Sequence, residues 1–245
     1  MSSEQFEGPG RELAKAKVEV RLTADGSRTL FVPALNEHYH STHGARQESE
    51  HVFIRAGLAL LLDAGFGQPG RRLLRVLEVG LGTGLNALLT LRNAQQAGAA
   101  VAYDALETQP LPPDIVATLA PEWAAQPGAA GRWFLALHAA PWHERYPLAP
   151  HFWLTKLRQP VQEAELPAGH YDLIYFDAFA PEKQPELWTT TIFEQLYAAA
   201  APGAVLVSYC AQGQFRRNLR AAGWLTERLP GPPGKREMTR ARKDS

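Results

Sequence analysis

Leu73-Leu74-Arg75-Val76-Leu77-Glu78-Val79-Gly80-Leu81-Gly82-Thr83-Gly84-Leu85-Asn86 is the stretch on which the fold turns. Its first seven residues read as a buried strand. Its glycines read as a tight turn, and residues 85–97 read as a helix that Gly98 ends. Glycines at a strand–turn–helix junction let the backbone turn sharply and approach a ligand closely. Dinucleotide-binding loops favour G-x-G-x-x-G, whereas Gly80, Gly82 and Gly84 are spaced G-x-G-x-G. A carboxylate just before the glycines, Glu78, is unfavourable beside a pyrophosphate. It suits a cationic ligand such as S-adenosylmethionine, with its amino group and sulfonium. A purely structural turn is the alternative.

The pattern continues outward in both directions. Upstream, residues 18–22 and 29–32 flank Ala24-Asp25-Gly26-Ser27 and predict a β-hairpin. Residues 36–43 are polar and rich in histidine and aromatics, hence loop. Residues 47–64 carry apolar side chains at helical spacing (Val52, Phe53, Ala56, Leu60). Downstream, strands are predicted at 101–107, 152–157, 171–177 and 204–209, with helices at 112–119, 131–139, 185–200 and 214–222. Residues 120–150, rich in Pro and Trp, read as an irregular packed insertion. Residues 224–229 and 237–240 are two last strands with no helix between them, which implies one antiparallel strand. Alternating strands and helices mean an α/β protein with a mostly parallel sheet.

The 245 residues are 45% hydrophobic and 20% charged, a globular balance that excludes disorder and fibrous repeats. A single cysteine, Cys210, excludes an intrachain disulfide and a cysteine-based zinc site. The N-terminus has neither a basic nor an apolar leader region, and the longest apolar stretch, 56–62, is far short of a span of about 20 residues. The sequence reads as soluble and cytoplasmic, with no membrane partner. Its net charge is zero, yet residues 211–245 hold nine basic and three acidic residues, leaving the rest of the chain acidic. That polarity permits an anionic partner, although a solvated helix face and a charged tail explain it equally well.

Four further features bear on chemistry. Glu107 ends the second strand of the α/β unit, where an acid typically accepts the ribose hydroxyls of a nucleoside. Asp177-Ala178-Phe179-Ala180-Pro181 leaves a buried run at the edge where open α/β sheets bind ligands. Asp177 there can orient or deprotonate a nucleophile, or it can merely cap the following helix. Cys210 ends the fifth strand and reads as a small buried hydrophobe, not as a nucleophile. His38, His40, His43 and His51 match no metal spacing, and no metal is expected.

These residues resemble the MnmC-like methyltransferase domain of bacterial tRNA wobble-uridine modification, most of all its stand-alone (MnmD-type) form. The resemblance rests on Asn36-Glu37-His38-Tyr39-His40-Ser41 with Gln47-Glu48-Ser49-Glu50-His51-Val52-Phe53, on 77–86, on 171–188 and on 206–238. The last includes Ser208-Tyr209-Cys210-Ala211, Arg216-Arg217-Asn218-Leu219 and Leu229-Pro230-Gly231-Pro232-Pro233-Gly234-Lys235-Arg236-Glu237-Met238. It implies a Rossmann-like class I fold, with a mostly parallel seven-stranded sheet and one antiparallel strand. It implies an N-terminal extension over 1–66 and a methyltransferase domain over 67–245. The implied cofactor is S-adenosyl-L-methionine. The implied reaction converts 5-aminomethyl-2-thiouridine to its 5-methylaminomethyl form at position 34 of tRNA.

By the same resemblance, Glu78, Gly80, Gly82, Gly84 and Asn86 line the methionine part of the cofactor and Glu107 holds the ribose. Asp177 meets the amine. From residue type and charge, His38, Tyr39 and His40, with Phe179, are candidates to meet the anticodon bases, and Arg216, Arg217 and Arg220, with Lys235 and Arg236, to contact phosphates of the anticodon stem-loop. Longer members carry a fused flavin oxidoreductase. Here no flavin is expected, and a separate oxidoreductase would act upstream. One departure stands out: such enzymes usually place an acid near the adenine, and here Leu157-Arg158-Gln159-Pro160-Val161 offers none. A small-molecule amine N-methyltransferase and an aminopropyl-transferring enzyme are the alternative readings.

Overall fold

The computed structural model describes residues 18–244. Strands β1 (Glu19–Leu22), β2 (Arg28–Val32) and β3 (Glu37–His38) form a small antiparallel sheet. Helix α1 spans 45–63. It is followed by β4 (Leu74–Val79), α2 (Leu85–Ala97), β5 (Val101–Leu106), α3 (Pro113–Ala124), α4 (Ala130–Ala139), β6 (Arg145–Ala149), β7 (Phe152–Leu157) and β8 (Tyr171–Phe176). The chain continues with α5 (Thr190–Ala199), β9 (Ala200–Ser208), α6 (Gly213–Ala221), β10 (Leu225–Pro230) and β11 (Glu237–Arg242).

The main sheet has eight strands in the order β10-β11-β9-β8-β4-β5-β7-β6. Strands β9, β8, β4, β5 and β7 run parallel, while β6 and β11 are antiparallel to their inner neighbours. The expected seven strands with one antiparallel member are thus eight with two. The added strand is β6, inside the stretch read as irregular. Pro147 lies in it, and a proline is tolerated there because β6 is an edge strand whose register shifts between Pro147 and Ala149.

Period-two alternation builds the two layers. Val76, Leu173, Tyr175, Val205 and Val207 face a core shared with α1, α2 and α4. Leu77, Val79, Ile174, Phe176 and Leu206 face the opposite core, closed by α5 and α6. Burial on both faces explains why these strands read as continuous apolar runs. The helix read at 185–200 divides into a short 3₁₀ turn, Pro185–Leu187, and α5, and α5 stops at Ala199 because Ala200 already pairs with Tyr171 in the sheet.

The middle of α1, Glu50–Leu58, is wound as a π-helix rather than the α-helix expected from its spacing. At this segment Gly57 sits directly on the sheet: a Cβ there would lie 3.1 Å from Val207 Cγ2 and 3.2 Å from Leu173 Cδ1. Gly57→Val would overpack this contact at a cost of about 1–3 kcal/mol. Urea unfolding checks it: the midpoint should fall with the slope unchanged.

Candidate active site

Parallel register sets the site. Val79 pairs with Leu106 and with Phe176, and Leu106 pairs with Leu157, so the strands end level with one another. One residue further on, Gly80, Glu107, Asp177 and Arg158 leave the sheet side by side. Chain order reverses at β4, which lies between β5 and β8. The crevice at such a reversal is where open α/β sheets take their ligands. A cleft of about 810 Å³ opens there, lined by the glycine loop, Glu107, Asp177, residues 109–112 and 159–162, and residues 37–42 of the N-terminal segment.

Two glycines are required by close approach. Gly80 has φ 93°, and a Cβ would fall 2.5 Å from the Asp177 carbonyl oxygen; at Gly82, φ 52°, it would fall 2.9 Å from the Tyr39 ring. The loop is thus pressed between the start of the Asp177 segment and Tyr39, and α2 begins immediately after it. Tyr39 also meets Phe179 edge-on, with ring centres 5.1 Å apart.

Asn86 on α2 ties the carboxyls together. Its Nδ2 donates to Glu78 Oε1 (2.9 Å) and to Asp177 Oδ2 (2.8 Å). Glu78 is fully buried. Burial, and then the Asp177 charge, raise its pKa well above the carboxylate range. Burial, reinforced by Glu48, pushes Asp177 up to about 7. Glu107 accepts from the Gly82 N–H (2.9 Å) and the Gln109 N–H (2.7 Å), and burial raises its pKa despite those bonds.

Asn86 Oδ1 is buried without a hydrogen-bond partner, and Glu78 Oε2 has none within normal distance, with the buried Tyr103 hydroxyl lying against this carboxyl. Orphaned acceptors amid crowded carboxyls call for a donor that is also a cation. The α-amino group and sulfonium of S-adenosyl-L-methionine answer that description, and the donor set fits this cofactor. Residues 159–162, which flank the place for an adenine, contain no acid.

The remaining candidates separate. His38 packs on Phe31 with ring centres 4.7 Å apart, at the cleft wall. His40 is half-buried and lines the cleft with its Nδ1 turned away from solvent, and burial pulls its pKa down to about 4. His51 bonds the Pro230 carbonyl, and among the described residues no group of His, Cys, Asp and Glu is arranged to hold a metal. Cys210 is buried, with burial raising its thiol to about 11.

Two expectations for phosphate contacts are corrected. Arg216 lies on the buried face of α6 with Phe215 and Leu219, paired with Glu237 at 3.2 Å. Lys235 turns into the cleft, where it is ion-paired with Glu48. Arg217 and Arg236 are exposed.

Sequence reasoning missed Glu48 and Tyr209. Both lie in stretches that carried the resemblance, and both line the cleft. A signal for Glu48 was present: it is a carboxylate on the apolar face of α1, in line with Ala45 and Val52.

The raised Asp177 pKa has a consequence for stability. Between its unfolded value near 4 and about 7 the folded state holds a proton that the unfolded state has lost. The folded state is therefore penalised increasingly as pH rises through that window. Asp177→Asn should leave the melting temperature near the wild-type value at pH 4 and raise it relative to wild type at pH 8. Thermal melts across that range check it.

A family model described as an S-adenosyl-L-methionine-dependent methyltransferase matches residues 144–244. The bifunctional tRNA 5-methylaminomethyl-2-thiouridine biosynthesis protein MnmC of Ralstonia nicotianae is 33% identical over 234 residues, covering 89% of this chain and 33% of that protein. Its counterpart in Magnetococcus marinus is 34% identical over 86% of this chain and 32% of its own length. The chain thus spans about a third of the length of these curated relatives. The crystal structure of MnmC2 from Aquifex aeolicus superposes with a TM-score of 0.73 at 26% identity, over 94% of this chain and 74% of that one. Spermidine synthase from Thermotoga maritima, at 12% identity and a TM-score of 0.57 over 93% of this chain and 69% of that one, shares the fold. On the strength of the glycine loop, its carboxyl cluster and these relatives, the chain belongs to the MnmC-like S-adenosyl-L-methionine-dependent methyltransferases.

Proposed function

We propose that the chain is an N-methyltransferase that converts 5-aminomethyl-2-thiouridine to 5-methylaminomethyl-2-thiouridine at the wobble position of tRNA. The observation that carries this reading is the Asn86 bridge. One amide joins Glu78, on the cofactor side of the glycine loop, to Asp177, on the open side of the cleft. A carboxylate next to the methyl donor is what an amine nucleophile requires. The MnmC relatives, named for the biosynthesis of this nucleoside, point to the same chemistry.

S-adenosyl-L-methionine, when bound, supplies an electrophilic methyl group. Glu78 and Asn86 would hold its amino group, Glu107 its ribose hydroxyls, and residues 159–162 would flank its adenine. The substrate amine arrives as an ammonium and must lose a proton before its lone pair is free. Asp177 accepts that proton. In the free protein Asp177 stands near 7, and a bound cation lowers it, so an alkylammonium near pKa 10 loses its proton to it uphill by at least about three units, or roughly 4 kcal/mol or more. That is modest beside the acceleration of about 7–11 kcal/mol available from in-line positioning. Asn86 holds Asp177 in place through Oδ2, leaving its other oxygen for the amine.

The extension over 1–66 supplies the substrate side, through His38, Tyr39 and His40. Arg217 and Arg236 contact tRNA phosphates. An oxidoreductase acting upstream prepares the amine.

Label from methyl-labelled S-adenosyl-L-methionine should appear in 5-methylaminomethyl-2-thiouridine when the protein acts on tRNA from cells that lack it. Asp177→Asn should lower kcat at least a hundredfold, the scale of a lost general base. Cofactor binding without label in tRNA would overturn the substrate assignment. Arg217→Ala and Arg236→Ala should each weaken tRNA binding and reduce the slope of log affinity against log salt by about 0.7–0.9, as loss of one phosphate contact does.

A further inference from the structure

The loop between β10 and β11 reaches across the cleft. Its turn is fixed by hydrogen bonds from Gly231 N–H to the Arg236 carbonyl (3.1 Å) and from Lys235 N–H to the Pro232 carbonyl (2.9 Å). Gly234 lies against His43, so close that a Cβ would reach 2.5 Å from the ring. Seated in this way, the loop points Lys235 inward. Its ammonium is ion-paired with Glu48 and stands 4.1 Å from the centre of the Tyr209 ring.

Both partners are held in advance. The Glu48 side chain is 7% exposed, and its Oε2 accepts the Ser41 N–H at 2.7 Å. The Tyr209 hydroxyl donates to the Ala178 carbonyl at 2.8 Å, which fixes the ring beside the residue that follows Asp177. Glu48, Tyr209, Lys235 and Asp177 line one cleft.

A buried carboxylate and an aromatic face together make a receptor for a primary ammonium. The group now in that receptor is the end of a lysine, a CH₂–NH₃⁺. We propose that Glu48 and the Tyr209 face form a primary-alkylammonium subsite beside Asp177, that Lys235 fills it in the free protein in place of the substrate, and that an aminomethyl substrate enters by displacing Lys235. The inference rests on the reading that the substrate is a primary amine, whose reactive end is also CH₂–NH₃⁺. The Lys235 side chain is 34% exposed, so it has a way out toward solvent. The subsite would reject an alcohol or a thiol of the same shape, because neither carries the charge that Glu48 and the ring require.

The test reads binding before it reads turnover. Propylammonium chloride is titrated against Lys235→Ala and the wild type, with sodium chloride at equal ionic strength as the blank, and the melting temperature is followed. Lys235→Met, which keeps the stem of the side chain, is run in parallel as a check on packing. The expected result is a rise in melting temperature in both variants at a propylammonium concentration at least tenfold below that needed by the wild type. The rise should be lost when Glu48→Gln is added. Equal response of variants and wild type, or a response that survives Glu48→Gln, overturns the proposal.

Kinetics with the tRNA substrate give the second readout. Removal of an internal competitor lowers KM several-fold in Lys235→Ala, whereas a tenfold rise in KM makes Lys235 a substrate contact and overturns the plug. The two readings fail separately. Ammonium binding by the variants without methylation of tRNA removes the tRNA substrate and keeps the subsite; methylation without ammonium binding does the reverse.

Discussion

Four carboxyl groups share one crevice, and burial works against charging three of them, Glu78, Glu107 and Asp177. Glu48, Glu78, Glu107 and Asp177 come from α1, β4 and the ends of β5 and β8, and all but Glu78 line the cleft, with Glu78 buried immediately behind it. Such crowding is tolerated because each is tied: Glu48 to Lys235 and the Ser41 N–H, Glu107 to two loop amides, and Glu78 and Asp177 to one Asn86 amide. The acceptors left over define what the crevice takes. At the Glu78–Asn86 end they suit the cationic cofactor, and on the proposed reading the Glu48–Asp177 end takes a cationic substrate.

The rest of the fold serves this arrangement. Parallel strands that end level deliver Gly80, Glu107 and Asp177 to one edge, and the two apolar layers hold that edge rigid. The glycine loop turns where a Cβ would meet the Asp177 carbonyl, so the position of Asp177 and the glycine requirement are one constraint. The N-terminal segment covers the loop with Tyr39, and the β10–β11 loop closes against α1 from the other side through Lys235 and His51. Electrostatics follows: a positive ligand at the cluster lowers the affinity of Asp177 for its proton, which on the proposed mechanism readies it as a base.

Local signals carried much of this in the sequence. Buried strand runs, the glycine spacing and the acids at strand ends are local, and they put Glu78, Glu107 and Asp177 at one sheet edge; Asn86 was marked only by the family resemblance. The failures were long-range. Strand β6 contains Arg145-Tyr146-Pro147, which has no strand signature; only its pairing with β7 makes it one. Arg216 looked like a free cation because charge is visible in a sequence and a partner 21 residues away is not. Lys235 pairs with Glu48 across 187 residues, beyond any spacing rule. Helical periodicity did put Arg216 next to Phe215 and in line with Leu219, and that face was the legible warning.

The central claim is that Asp177 binds a proton more tightly in the free protein than an ordinary carboxylate, because it is buried among other carboxyls, and that a bound cation loosens it. Calorimetric titration of S-adenosyl-L-methionine at pH 7, in buffers of different ionisation enthalpy, counts protons released on binding. Comparison of the wild type with Asp177→Asn removes the contribution of the cofactor's own amino group. The account predicts that the wild type releases a substantial fraction of a proton more than the variant does. Equal proton counts for the two would contradict it.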